Sequence, residues 1–424
     1  MPVLSYLFAI ALAAGLTFSP DNLVLYGNGL GVVGFELILV LPVAFLIHLD
    51  TIQSFRKLQE TSGDPVAGFQ RILGNSPASI AILGGKLPFA ICSSAGLVVT
   101  AGFVFNEVFV YWFPNFTFAY LLLGAVLVIN VLRPKAVPSI QVVCIALAGI
   151  GLLILAVAGL LQPADARSVS GTITHFDYRY LAAAVIVLVG FDMGLYSGRE
   201  PRPVASQTAR ALAMALVAGA AVLALWGVGA MAMVPAAKLE SSTIPHMIAA
   251  RKALGQPGRL IMGTVAIFGV FAAVNAMLFS VSVTAAKLME PFDSLSGGKI
   301  RVVSLLFIAG ASAFLMFLGF AGEPFLETWI RGGMVLWLIY YMSINVAAYR
   351  IKAAPLQKTK RSRKSPVAHL KGLGLIGAAL GAGGLILLEP EPKVMMIFLA
   401  TVTAAVTLLV VGIGYFANRG DRQI

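Results

Sequence analysis

Apolar runs of about 20 residues recur from one end of this 424-residue chain to the other. They fall near 3–19, 31–50, 78–105, 116–132, 139–161, 180–197, 207–234, 259–286, 301–320, 328–349, 370–388 and 394–417. A helix of that length crosses the hydrocarbon of a bilayer. Hydrocarbon cannot bond a free N–H or C=O, so runs that enter it must become helices. Only 11% of the residues are charged and 59% are hydrophobic, whereas a soluble domain carries roughly 25% charged residues. The pattern predicts an all-α integral membrane protein of about 12 transmembrane helices. No loop is long enough for a soluble unit, so 1–424 reads as a single membrane domain. The run at 3–19 has no basic residue before it and no Ala-x-Ala site leading into a polar domain, which predicts a retained first span rather than a cleaved signal.

The net charge of +12 does not point to nucleic acid. Eight of the 30 Lys and Arg lie between Arg350 and Lys371, between two apolar runs and without interleaved aromatics. Basic loops of this kind set orientation and face the cytoplasm and its anionic lipids. With the N-terminus inside, 21 of the 30 fall on the cytoplasmic side and 8 outside. The expectation is a multi-pass protein of the cytoplasmic (inner) membrane with both termini in the cytoplasm. Lys86 is left over and is expected to anchor the third span to headgroups. Trp112 and Trp329 suit the outer interfacial belt. Residues 51–77 read as a polar inner loop, and 235–258 as a short amphipathic helix on the outer surface. Cys92 and Cys144 sit inside spans and show neither metal spacing nor a disulfide framework.

Two spans are interrupted, the first and the sixth. LFAIALAAGLTFSPDN places Ala13, Ala14 and Gly15 just ahead of Thr17, Ser19 and Pro20; VLVGFDMGLYSGREP brackets Asp192 with Gly190 and Gly194. Paired breaks at corresponding positions are the sequence sign of a transporter whose substrate site lies at mid-membrane. Ala13, Ala14, Gly15 and Thr17, with Gly190, Phe191, Asp192 and Gly194, are the candidate substrate-binding residues. A carboxylate at that depth is costly and marks function. Asp192 reads as a proton carrier or an amine ligand; as a bare helix cap it would instead pair with Arg199. Among other polar residues, Glu36 reads as solvated near the outer interface, and His48 and Asp50 as an interfacial pair. Cys92, Ser93 and Ser94 face either a cavity or their own helix. Asp21 and Asn22 are candidates for the outer vestibule. GLGLIGAALGAGG at 372–384 suits close packing, against a neighbouring span or the mate in a homodimer. No phosphate-binding G-x-x-x-x-G-K-[ST] occurs, and the four histidines form no H-E-x-x-H. A transporter, not an enzyme, is expected.

Six segments in order resemble the amino acid–polyamine–organocation (APC) transporter superfamily, with its LeuT-type fold. GLTFSP at 15–20 resembles the family's glycine-rich break, and Asp50 stands where an acid often closes span two. SGDPVAGFQRILGN resembles the G-x-P-G-G-x-Y…L-G loop, and Asn130 with KAVPSIQ at 135–141 the junction of spans four and five. GFDMGLYSGREPRPVA resembles span six with E-x-x-N-P, and AAKLMEPFDSLS at 285–296 the close of span eight. The resemblance implies a 5+5 inverted repeat over 1–161 and 180–350, followed by a basic loop and two C-terminal helices within 351–424. It implies a secondary active transporter of a small amino acid or organic amine, working by alternating access without a cofactor. The coupling ion would be H+ at Asp192. The alternatives are a sodium-coupled carrier of another small solute, with Na+ between span one and span eight where Asn275 and Ser280 are the candidates, or a non-transporting membrane protein of the same fold. Departures exist. Amino acid carriers place a fuller run of Gly and Ser at Ala13–Gly15, and span five has no lysine. Metal carriers of this fold show D-P-G-N and M-P-H; here SPDN echoes the first, and the second is absent.

Overall fold

The computed structural model describes residues 3–162, 178–196, 204–289, 297–351 and 372–420. The described residues form helices joined by turns, without strands. The order is α1 (Val3–Ala13), α2 (Pro20–Val33), α3 (Glu36–Ser62), α4 (Pro65–Leu73), α5 (Asn75–Val108), α6 (Asn115–Leu132), α7 (Val137–Leu160) and α8 (Tyr178–Val187). A 3-10 turn at Phe191–Tyr196 follows. Then come α9 (Ala205–Met233), α10 (Ala236–Glu240), α11 (Pro245–Leu254), α12 (Gln256–Met289), α13 (Gly297–Phe317), α14 (Pro324–Arg350), α15 (Leu373–Leu387) and α16 (Pro392–Gly420).

Among the described residues, nine helices are long and apolar enough to cross a membrane. Three shorter apolar helices, Val3–Ala13, Leu181–Tyr196 and Leu373–Leu387, fall where the first, sixth and eleventh spans were expected. Burial separates an inner from an outer set. α12, α5, α3 and α14 are mostly buried along their apolar windows, whereas α6, α13 and α16 present most of that surface outward.

Two expected boundaries are corrected. The first span does not stop at 19: it breaks and resumes as α2, and the second span begins only at Glu36. Gly34, at φ 70°, makes the reversal between them. The stretch 51–77 is mostly helix rather than loop. α3 continues to Ser62, Gly63 closes it in the left-handed region, and Asp64 caps α4 by accepting from the Val66 N–H at 2.8 Å. The stretch 235–258 holds the short helices α10 and α11.

The glycines of α15 pack against neighbours within the chain. A Cβ at Gly377 would meet Ile47, one at Gly381 would meet Leu338 and one at Gly384 would meet Ala182. Small residues thus let α15 lie close to α3, α14 and α8. Arg199 and most of the basic loop lie outside the described residues.

Candidate transport site

Both breaks follow from local chemistry. Pro20 lacks an N–H and disfavours helix in the residue before it; Ser19 is accordingly extended and caps α2. Between α1 and α2 the chain folds into tight turns. The N–H groups of Ala14, Gly15, Thr17 and Ser19 donate to the carbonyls of Ile10, Leu12, Ala14 and Leu16. In the sixth span Gly190 sits at φ 100°, a conformation that glycine adopts without a Cβ penalty. The chain then tightens into the 3-10 turn that carries Phe191, Asp192, Met193 and Gly194, all buried.

The two breaks lie against each other. A Cβ at Gly190 would stand 2.7 Å from Leu16 Cδ1, and one at Gly194 2.5 Å from the Ala9 carbonyl. Asn22 joins them: its Nδ2 donates to the carbonyls of Thr17 at 3.1 Å and Val187 at 2.8 Å. Those acceptors sit at the ends of interrupted helices, where intrahelical partners run out. The side chain of Thr17 packs on Gly219, and Gly15 on Ala276. The expected residues are therefore assembled, but much of the polar backbone of the breaks bonds to the protein itself.

The Asp192 carboxylate is held by α14 and α5. Its Oδ1 accepts from Trp337 Nε1 at 3.1 Å and Tyr341 Oη at 2.7 Å, both on α14. Its Oδ2 lies 2.5 Å from Lys86 Nζ; Lys86 is 2% exposed and Asp192 0%. This overturns the expectation that Lys86 reaches headgroups. The physical reason lies in two close helix approaches. A Cβ at Gly85 would collide with Tyr340, and one at Gly333 with the Phe89 backbone. α5 and α14 meet at these glycines and enclose the lysine between them. Its ammonium lies 5.4 Å from the Tyr340 ring centre and 6.0 Å from that of Trp337. Beyond the contact with each other, Lys86 Nζ and Asp192 Oδ2 have no hydrogen-bond partner.

Tyr341 also accepts from the Gly190 N–H at 3.2 Å, so one phenol ties α14 to the break and to its carboxylate. His48 approaches from α3, with Nε2 2.9 Å from the Val185 carbonyl and its ring edge on Phe191. His48 and Asp50 do not snorkel as a pair; both are buried and serve different partners. Asp50 Oδ2 accepts from Tyr349 Oη and from the N–H groups of Gly372 and Gly374, at 3.0–3.1 Å. Where the 3-10 turn ends, Lys287 of α12 pairs with Asp64 and lies over the Tyr196 ring at 4.4 Å.

A second polar cluster lies at the end of α1. Asn130 Nδ2 donates to Asn275 Oδ1 at 2.6 Å, and Asn275 Nδ2 to Gln141 Oε1 at 2.7 Å. Gln141 Nε2 reaches the carbonyls of Ala11 at 3.0 Å and Ala272 at 3.1 Å. Asn275, a candidate cation ligand, thus spends its amide on neighbouring amides. Ser280 is buried with its hydroxyl unpartnered, one turn or more further along α12.

The sequence marks Asp192 as an intramembrane carboxylate; the structure brings Lys86 to it, and adds Trp337 and Tyr341, which no sequence signal singles out. The signal for Lys86 was present, since an intramembrane charge calls for a partner of opposite sign. Nothing in the WLIYYMSIN stretch separates a carboxylate ligand from an ordinary core aromatic.

No family model matches the chain, and no curated protein matches it in sequence. Solved structures do match. The crystal structure of the Eremococcus coleocola manganese transporter in complex with an aromatic bis-isothiourea substituted compound is 12% identical. It aligns with a TM-score of 0.60 over 99% of this chain and 95% of that one. A point mutant of the same transporter aligns at 14% identity and TM-score 0.62, with the same coverage. The chain has an all-helical membrane-transporter fold. At these identities the likeness speaks to fold alone, and it lends no support to an amino acid as cargo. Among the described residues no three His, Cys, Asp or Glu converge as a metal ion would require. The Asp192 carboxylate already bears an ammonium.

Proposed function

We propose that this chain is a secondary active transporter of the cytoplasmic membrane. It would move a small solute past the paired breaks of the first and sixth spans by alternating access, with protons as the coupling ion. The observation that carries this reading is the Lys86–Asp192 pair, enclosed at the sixth-span break. Withdrawing two ions from water costs several kcal/mol per ion, and a well-packed apolar pair is often as stable. Such a pair is therefore poor as structural glue and suited to changing its charge. A proton on Asp192 removes the attraction that holds Lys86 and alters the contacts of the break with α5 and α14. The Lys and Arg bias supports cytoplasmic termini.

A divalent metal ion is the second reading, favoured by the fold neighbours. It would have to enter beside a fixed ammonium, and the proton-coupled organic solute is preferred for that reason.

Uptake into proteoliposomes from a pool of labelled amino acids, amines and Mn2+ tests both. We expect accumulation under an inward proton gradient and none under sodium alone. Sodium-driven uptake, or no uptake under any gradient, would sink the proposal. Uptake of Mn2+ but of no organic solute would favour the second reading.

A further inference from the structure

Resting on that reading, we infer that Lys86 is the receptor for the anionic group of the cargo, a small solute carrying a carboxylate, and that a proton on Asp192 frees the lysine to bind it.

What each group has left to give decides what it can bind. An ammonium has three N–H donors, and Lys86 Nζ has one polar neighbour, Asp192 Oδ2. Asp192 is held at its other oxygen by Trp337 and Tyr341. A proton arriving on Oδ2 therefore leaves the side chain in place as a neutral acid, while the flexible lysine loses its counter-ion. The groups facing Asp192 are Lys86 from α5, His48 from α3, and Tyr340 and Tyr341 from α14; Lys287 beyond Tyr196 is already paired with Asp64. Among the described residues the other carboxylate that acts on Tyr340, Asp64, is engaged by Lys287, so none is free to take over the ammonium. An unpaired buried charge is strongly unfavourable, so protonation creates a demand for an anion. The step forms one O–H bond on Asp192 and exchanges one carboxylate for another at Lys86 Nζ. The enclosure ends as it began, with one positive and one negative charge.

Several other receptors at the breaks are already engaged. The N–H groups of Ala14, Gly15, Thr17 and Ser19 are consumed in local turns, so they do not provide the backbone cradle that a carboxylate could use. An amine or metal ion would compete with Lys86 for Asp192; a carboxylate instead competes with Asp192 for Lys86, and protonation removes that competitor. The Tyr340 and Trp337 rings beside Nζ suit a small monoanion with an apolar or compact body rather than a phosphate dianion, for which a single lysine is insufficient.

The test is thermal unfolding of the purified full-length protein at about pH 5 and about pH 8. The probes are monocarboxylates, amino acids, simple amines, chloride and Mn2+. Reciprocity requires that a proton-linked anion bind roughly tenfold tighter for each tenfold gain in proton affinity. We expect at least one carboxylate solute to raise Tm, with about tenfold or greater tightening at the lower pH. In Lys86→Gln the effect should vanish; in Asp192→Asn it should persist without pH dependence. Proton uptake on binding, read in weakly buffered wild-type protein, replaces either variant if it fails to fold. Stabilisation by amines or Mn2+ alone, carboxylate binding untouched by Lys86→Gln, binding without proton uptake, or no carboxylate effect at either pH would each overturn the inference. Proton-driven uptake of an amine would overturn it while leaving the transporter reading intact. Proton-linked carboxylate binding without proton-driven uptake would do the reverse.

Discussion

The molecule carries two buried polar clusters beside its broken spans, and they differ in kind. On one side Lys86 and Asp192 meet as ions, each with bonding capacity left over. On the other, Asn130, Asn275 and Gln141 join as neutral amides, ending on the carbonyls of Ala11 and Ala272. Both link a broken span to its neighbours. Only the first is built of ionisable groups; amides carry no charge to change. Ala11 lies in the last turn of α1, where carbonyls lose their helical partners and carry the negative end of the helix dipole. Freed carbonyls of that kind coordinate coupling cations in transporters; here an N–H donor stands against them. The contrast teaches that charge is concentrated where the sixth span breaks and neutralised by amides where the first one does.

The largest expected effect comes from dividing the ionic cluster. Removing one member of a buried pair costs about 3–5 kcal/mol, because the survivor is left charged and alone. Lys86→Met should therefore unfold at a much lower temperature than the wild type at about pH 8. It should recover part of the loss on acidification, because a proton on Asp192 would remove the unpaired charge. Asp192→Asn leaves an ammonium, which acid cannot neutralise, so its deficit should not shrink with acidification. The double variant Lys86→Met/Asp192→Asn should be more stable than either single one. Equal pH profiles for the two single variants would show that the groups are not each other's counter-ions.

The amide cluster is broken by giving it charge. In Gln141→Glu, carboxylate oxygens would face the Ala11 and Ala272 carbonyls, and the repulsion would be relieved by a small cation. At about pH 8.5 we expect sodium chloride to raise the Tm of this variant relative to choline chloride, while leaving the wild type unchanged. A sodium response in the wild type would mean that the amides do not close this place to cations. The effect should be smaller than splitting the ion pair, since the carboxylate can also be neutralised by a proton.

The legibility of these clusters follows the same division. The breaks could be read from sequence because Pro20, Gly190 and Gly194 act on their own backbone, within one turn. Asp192 stood out because a carboxylate amid apolar residues has few cheap explanations. Its partners were hidden because they come from α5 and α14, more than a hundred residues away in either direction, and helix register decides which side chain arrives. Lys86 was assigned to headgroups because a lysine stem can snorkel; the contacts at Gly85 and Gly333 that enclose it belong to tertiary packing. The long reach of α3 was missed because its last turns, RKLQETS, are polar and read as loop. They form helix beyond the apolar stretch, where hydropathy carries no signal.

A third buried polar group refines the contrast, with the smallest effect. His246 lies on α11, outside the spans, 2% exposed, with Nδ1 unpartnered. Burial pushes its pKa down to about 4, whereas an unfolded histidine titrates near 6.5. Between those values the unfolded chain binds the extra proton, so the imidazole's contribution to stability is complete above about pH 6.5 and is lost as pH falls towards 4. Unlike Asp192, it has no lysine whose release could turn a proton into binding. The expected result is an acid-induced fall in Tm of a few degrees, and His246→Phe should flatten it without altering the pH dependence of carboxylate binding. If His246→Phe instead abolished that dependence, the proton-linked group would lie on α11 rather than at the sixth-span break. The charged cluster would then be structural, like the amides.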